Sequence, residues 1–407
     1  MAADSVRKLR CTVENRRGSY LTMFSNGGLQ FGVFNIFSVF GQMFADQSYW
    51  QGAIAATPRS AYRGYILGGL LWFSIPFTFS TAFGLGVIAT DLPVSKDEYG
   101  AGLICVAAAQ FFMGRAGVVL ILTMVFMSVT SSGSSEIMAM SSLFTYDIYK
   151  TYFRPNATSQ EILAVSRLSV CGFGLLVGGF SCFCLKVGVD VNFLFFVAGL
   201  LVSSASVPIA SMIMWKDVPA TAAIASALGG QIIAVIVWLT HTWLAYQRFT
   251  AKDTLQRLGP SLSGTCAGLG ASIIILVVWT RIAPTNEDYL EKFDKIELMD
   301  GVVIPENSLK EGEMHPLFNR YTYFAFGLSV VLIIIWPLLT LPAGIFSEGY
   351  FTFWVILAGI WSMIATIIAI GLPLVEARGT IISIIKNMFG LKVPVPTNGT
   401  AKPHTEL

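Results

Sequence analysis

Between Met127 and Met140 the sequence reads MSVTSSGSSEIMAM, with six hydroxyl side chains and one carboxylate in an otherwise apolar run. On a helix advancing about 100° per residue, Ser128, Ser131, Ser132 and Ser135 share one face, and Glu136 flanks it. Thr130 and Ser134 point elsewhere, where each can bond back to a carbonyl of its own helix. Aligned hydroxyls are a ladder of oxygen ligands that, with carbonyls of a broken helix, suits a hard monovalent cation. The same stripe also suits helix packing, where interhelical hydrogen bonds add about 0.6 to 2 kcal/mol. Glu136 marks an ion or proton path if it lies within hydrocarbon, and is an ordinary solvated carboxylate if it lies at a membrane face.

A second polar set lies in LQFGVFNIFSVFGQMFADQ, where Asn35, Ser38 and Gln42 share a helical face ahead of Asp46 and Gln47. Gly32 and Gly41 permit local unwinding or close packing. Buried amides without partners are costly, so these side chains need either a ligand or a protein partner. A third set, Ser203, Ser204 and Ser206, precedes Pro208. A proline in mid-helix frees a carbonyl and kinks the chain, and nearby hydroxyls can satisfy the backbone again.

The elements that must position these groups are transmembrane helices. The 407 residues are 54% hydrophobic and 12% charged, against about 25% charged in a soluble domain. Runs long enough to span a bilayer lie near 28–45, 64–89, 117–141, 164–186, 191–214, 218–244, 262–282, 322–343 and 350–373. Lipid offers backbone groups no partner, so these runs must be helices; the expected class is an all-α polytopic bundle. A net charge of +2 with dispersed basic residues implies no nucleic-acid partner. Six scattered cysteines and three distant histidines give no metal-ligand or catalytic spacing, so neither an enzyme nor a cofactor is expected.

Lys and Arg in the short loops place the C-terminus in the cytoplasm. Arg7, Lys8, Arg10, Arg16 and Arg17 dissent from that orientation. The mixed-charge segment 283–321 reads as a solvated connector, and EARGTIISIIKNMFGLKV after Pro373 as either an amphipathic surface helix or a short solvated one.

The run FMSVTSSGSSEIMAMSSLFTYDIYKTY at 126–152 resembles the eighth core helix and exit loop of the sodium:solute symporter family. ADQSYWQGAIAATPRSAYRGYILGG at 45–69, together with WFSIPF at 72–77, resembles the segment after its sixth core helix, and the match is nearest to the urea active transporter branch. The resemblance implies a LeuT-like inverted-repeat fold in which the first five spans here are the second repeat and most of the first repeat has no counterpart, as in an N-terminally truncated chain. It divides the chain into a basic segment 1–27, a core repeat 28–214, accessory helices 215–282, the connector 283–321, a helix pair 322–373 and a cytoplasmic tail 374–407.

The implied function is secondary active import of urea or a similar small polar solute, with polyamines as a further substrate class, by sodium- or proton-coupled alternating access. The implied membrane is the plasma membrane. Ser128, Ser131 and Ser132 fall on the family's ion ligands, with sodium at Ser131 and Ser132 as the one metal implied. Glu136, Asp46 and Gln47 fall at the coupling or gate region. For the substrate, Gln42 stands where sugar-transporting relatives carry an aromatic contact and Trp72 where they carry a polar one, with Asn35 and Ser38 beside Gln42. The family continues WQR where this chain has Trp50, Gln51 and Gly52. A half-symporter that does not transport and a passive urea channel are the alternatives. The sequence leaves the oligomeric state open.

Overall fold

The computed structural model describes residues 15–95, 98, 101–189, 191–250, 254–285 and 311–388. Among them nine helical segments are long and apolar enough to cross a membrane, at the positions expected from hydropathy, and no strand is present. The protein is an all-α integral membrane protein.

The first span is α1, Asn26–Ala45, capped by the Ser25 hydroxyl accepting from the Gly28 N–H. Asp46 ends it and starts α2, Gln47–Ala55. The second span is segmented into α3 (Pro58–Trp72), α4 (Ser74–Phe79), a π-turn at Ser80–Gly84 and α5 (Leu85–Thr90). The third is α6, Ile104–Ser142, which runs on through a π-helical stretch to Phe153. Gly114, at φ 62° and ψ −146°, interrupts it with a conformation that glycine alone adopts readily.

α7, Ser159–Val187, opens with a reciprocal cap between Thr158 and Glu161 and closes at Gly188, φ 77°. The fifth span breaks into α8 (Val191–Val202), a tight turn at Ser203–Ala205 and α9 (Ser206–Met214). α10 (Ala220–Tyr246), α11 (Leu258–Ile282), α12 (Glu311–Val330), α13 (Trp336–Thr340), α14 (Glu348–Glu376) and α15 (Arg378–Met388) complete the chain. Helix α12 begins at Glu311, within the segment read as the connector, and its membrane-length apolar part at Phe318. Residues 286–310 of the connector and the basic residues Arg7, Lys8 and Arg10 lie outside the described set. α15 occupies the place of the expected amphipathic helix.

The tightest packing follows a small-residue code. Every fourth residue of α10 from Ala222 to Thr242 is buried, and so is every fourth residue of α11 from Pro260 to Thr280. Small side chains at this spacing let membrane helices approach until packing and hydrogen bonds hold them. A Cβ on Gly268 would stand 2.7 Å from the Ala234 Cβ, and one on Gly264 2.8 Å from the Ala234 carbonyl oxygen. This hairpin packs on α1 and on the broken fifth span. Aromatic rings lock α1 to α8, with Phe34 fully buried against Phe195 and Phe196. α6 and α7 form a second pair. Elsewhere Leu21 packs on Phe346 and Phe351, so the segment before α1 grips the start of α14.

Candidate functional site

The corner between α1 and α2 meets the hydroxyl-rich stretch of α6. Asp46 caps α2, its Oδ1 accepting from the Ser48 N–H at 2.8 Å and the Ser48 hydroxyl at 2.7 Å. An Asp that satisfies orphan N–H groups at a helix start holds the bend in place. The next turn carries Tyr49, and Trp50 turns back so that its Nε1 donates to the Phe44 carbonyl at 2.9 Å. Tyr65 reaches over from α3 and donates its hydroxyl to the Tyr49 carbonyl at 2.7 Å.

These groups and α6 enclose a cavity of about 360 Å³ lined by Asp46, Ser48, Tyr49, Tyr65, Ser131, Ser132, Ser135 and Glu136. Glu136 from α6 and Asp46 from the α1–α2 corner line the same cavity. Thr130 and Ser134 bond back to the Phe126 and Ser131 carbonyls at 2.8 and 2.9 Å, which leaves them outside the lining. Ser135 spends its proton on the Ser131 carbonyl at 3.1 Å. Burial first, then the charges of Asp46 and Glu136, hold the Tyr49 phenol above its ordinary range, so it stays a neutral wall of the cavity. The lining contains carboxyls, phenols and aliphatic hydroxyls, with no Lys, Arg or His among the described residues. Such a set attracts a proton or a small cation and repels anions.

The structure thus brings together Ser131, Ser132, Ser135, Glu136 and Asp46, five of the residues singled out from sequence. Ser128 lies further along α6, outside the lining, and Gln47 is in α2 but does not reach it. The other candidates stand apart from this cavity. Ser38 is fully buried and, with Gly41, faces the fifth span, where added Cβ atoms on Gly199 and Gly41 would run into Ser38 and Ser203 respectively. Gln42 donates to the Ser38 hydroxyl at 3.1 Å and Asn35 to the Phe31 carbonyl at 2.8 Å, so each amide has a partner within α1. Trp72, 62% exposed, ends α3.

Ser48, Tyr49 and Tyr65 were not singled out from sequence. Asp-Gln-Ser at a helix start is a capping signal that could have pointed to Ser48. No local signal links Tyr65 to Tyr49 sixteen residues earlier. A second cavity of about 290 Å³ between α4–α5 and α14 is almost wholly apolar, lined by residues such as Leu85, Ala89, Phe351 and Val355.

Comparison with curated proteins gives a consistent kinship. The chain is 39% identical over 376 residues to a urea-proton symporter, DUR3, of Oryza sativa subsp. japonica, covering 92% of this chain and 52% of that protein. Such kinship over most of this chain is consistent with the urea-transporter branch of the sodium:solute symporter family. A probable urea active transporter of Schizosaccharomyces pombe is 36% identical over 400 residues, 93% of this chain and 59% of its own length. The urea active transporter of Saccharomyces cerevisiae is 33% identical over 296 residues, 70% of this chain and 40% of that protein. The chain therefore spans about half the length of the urea transporters it matches. No family model matches it, and no solved structure matches it.

Proposed function

We propose that the protein imports urea, or a similarly small polar solute, by alternating access coupled to an ion gradient. The observation that carries this reading is the cavity at the α1–α2 corner, where the Ser131 and Ser132 hydroxyls of one span meet the Asp46 and Glu136 carboxyls. Hydroxyls aligned on one helix, together with carbonyls of a neighbouring broken helix, supply oxygen ligands for sodium. Two carboxyls lining one cavity, with no basic residue among its described lining residues, supply a place for a proton. The second feature favours proton coupling, and the printed name of the rice relative, a urea-proton symporter, agrees with it.

Ser128, a turn away, would extend the ion path along α6. Asn35, Ser38, Gln42 and Trp72 remain the proposed urea contacts. Urea offers four N–H donors and one carbonyl acceptor, which amide and hydroxyl groups match, and these amides would exchange their bonds within α1 for bonds to urea when α1 moves off the fifth span. Residues 28–214 would be the moving core repeat and 215–282 and 322–373 supporting helices, with the tail in the cytoplasm and the protein in the plasma membrane. No enzymatic step enters this reading.

The test is uptake of labelled urea by this chain in a host that lacks urea transport. Accumulation should saturate with urea and collapse with a protonophore. Linear flux in both directions, insensitive to the gradient, would replace the symporter reading with a channel.

A further inference from the structure

The apolar groove between the second span and α14 is a place where two membrane helices part. α14 packs on α3 and α4, and the Thr78 hydroxyl donates across to the Ala358 carbonyl at 3.2 Å. The π-turn at Ser80–Gly84 follows at once, and such a turn bends a helix off its line. Beyond it Ala82, Gly86 and Ala89 face Phe351, Val355 and Gly359 across a groove of about 290 Å³. Small residues ordinarily let membrane helices close up. Here they border a gap, and a Cβ on Gly359 would meet nothing within 4 Å. An empty apolar cavity costs stability in proportion to its volume, so the gap calls for an apolar occupant. Urea does not fit that description: Thr78 has spent its proton on Ala358 and Thr81 its own on the Phe77 carbonyl at 2.7 Å, so neither hydroxyl is left to donate.

Polar groups gather at the end of the groove where α5 stops and α14 starts. Leu21, fully buried, packs on Phe346 and Phe351 and against Leu85 and Ala89, and so closes that end. It belongs to a hairpin fastened by the Asn15–Ser25 bridge and by the Phe346 N–H, which donates to the Leu21 carbonyl at 2.8 Å. The same hairpin lays the Arg16 guanidinium over the Phe24 ring, 4.8 Å from its centre, and beside Gly344. Asp91, which ends α5, and Glu348, which starts α14, put exposed carboxylates at this end as well. A cation and carboxylates together match a headgroup that carries both signs. Trp354 stands on α14 one turn along from Phe351 and packs on the same cluster, and its indole N–H is buried with no partner among the described residues. A buried N–H of that kind calls for an acceptor.

We propose that the groove holds one zwitterionic glycerophospholipid of the bilayer. An acyl chain lies between residues 82–89 and 351–359, and an ester carbonyl accepts from Trp354. The phosphate pairs with Arg16, a charge-assisted contact that guanidinium makes well, and the ammonium faces Asp91 and Glu348. The lipid fills the space that the π-turn opens, and it fastens α14 to the second span and to the hairpin that precedes α1. This site goes beyond the transport reading and stands or falls without it.

The test reads binding and needs no urea. The full chain, purified in detergent and stripped of lipid, is titrated with palmitoyl-oleoyl phosphatidylethanolamine and followed by native mass spectrometry. One lipid should bind per chain, at least fivefold more tightly than phosphatidylglycerol with the same acyl chains or a sterol. Gly359→Leu, which puts a side chain into the gap, should lower occupancy at least fivefold. Trp354→Phe, which keeps a ring and removes the N–H, and Arg16→Gln should each lower it at least threefold. Gly172→Leu, on α7 with open space around it, should leave it unchanged. A phosphatidylethanolamine with a diazirine in its acyl chain reads the same site in the parent chain, and decides the matter if a variant does not fold. Its cross-links should concentrate on peptides 78–89 and 351–359 and disappear with excess unlabelled lipid. Occupancy that survives Gly359→Leu, cross-links spread evenly over the other spans, or equal binding of phosphatidylglycerol or the sterol would each overturn the proposal.

Discussion

Ser272 on α11 donates its hydroxyl to the carbonyl of Ser204, in the turn that breaks the fifth span, at 2.9 Å. Ser226 on α10 donates in turn to the Ser272 carbonyl at 2.9 Å, its oxygen 2.7 Å from the Ser272 hydroxyl. Three serines on three spans thereby close a chain that is fully buried at Ser226 and Ser272. The break frees backbone carbonyls, and lipid gives them no partner. The chain supplies one, and it ties the break to the α10–α11 hairpin.

Ser272→Ala should therefore cost more than a surface change, about 0.6 to 2 kcal/mol for the interhelical bond. Ser226→Ala should cost less when Ser272 is already alanine than when it is not. Thermal unfolding of the two single variants and the double variant in detergent gives the comparison; strict additivity would mean the serines do not act as one chain.

Gly41 and Gly199 set how closely α1 meets the fifth span. A Cβ on Gly41 would collide with the backbone of Ser203, which has no rotamer to move, and its second contact is the Ser203 Cβ at 3.1 Å. Gly41→Ala should lower the yield of folded protein sharply or shift its melting by several degrees. Gly270→Ala, with nothing within 4 Å of the added carbon, is the matched control and should be neutral or mildly stabilising, since alanine is the better helix former. Equal behaviour of the two variants in a fluorescence-detected size-exclusion melt would refute the close-approach argument.

The spans were legible because hydropathy over about 20 residues is a strong signal, and each of the nine runs has its helix. The shared face of Ser131, Ser132 and Ser135 and the back-bonding of Thr130 and Ser134 follow from helical geometry alone, and both are present. What the sequence could not convey is which face meets which neighbour. Ser38 and Gln42 carry the polarity of a binding site, yet Ser38 is a packing residue against Gly199 and Gln42 is bonded to it. The four-residue spacing of Ser226, Gly230 and Ala234 against Gly264, Gly268 and Ser272 was readable as a helix-packing signal, but it was obscured by the uniform hydropathy of both spans. Tyr65 entered the site through a turn and a corner, where periodicity gives no distances.

The loop between the second and third spans carries a pH-sensitive cap. The Glu98 carboxylate accepts from both the N–H and the hydroxyl of Ser95 at 2.8 Å, and these bonds hold its pKa below the usual carboxylate range. Because the folded value is lowered, the local stabilisation is present above the unfolded value, about 4.3, and is lost as pH falls through the folded one. The hydrogen-exchange protection factor of the Ser95 amide should thus hold from pH 7 down to about 4.5 and decline below it. Glu98→Gln should reduce protection at neutral pH and flatten the decline. An unchanged profile in that variant would mean the Ser95 amide is protected by something other than Glu98.

Ser131 and Ser132 are the last test, because they separate an ion ligand from a packing surface. Both are exposed along α6 and line the cavity, and among the described residues neither hydroxyl has a protein partner. Removing hydroxyls that bond no protein group should leave folding nearly unchanged, in contrast with Ser272. If instead they ligate the driving cation, the double change Ser131→Ala with Ser132→Ala should lower gradient-driven urea accumulation at least tenfold and raise the cation concentration for half-maximal uptake, with thermal stability within about 0.5 kcal/mol of the parent. Ser128→Ala, outside the cavity, should have the smaller effect. Accumulation that survives the double change at full strength would remove the hydroxyls from the ion path and leave the Asp46–Glu136 pair as its whole chemistry.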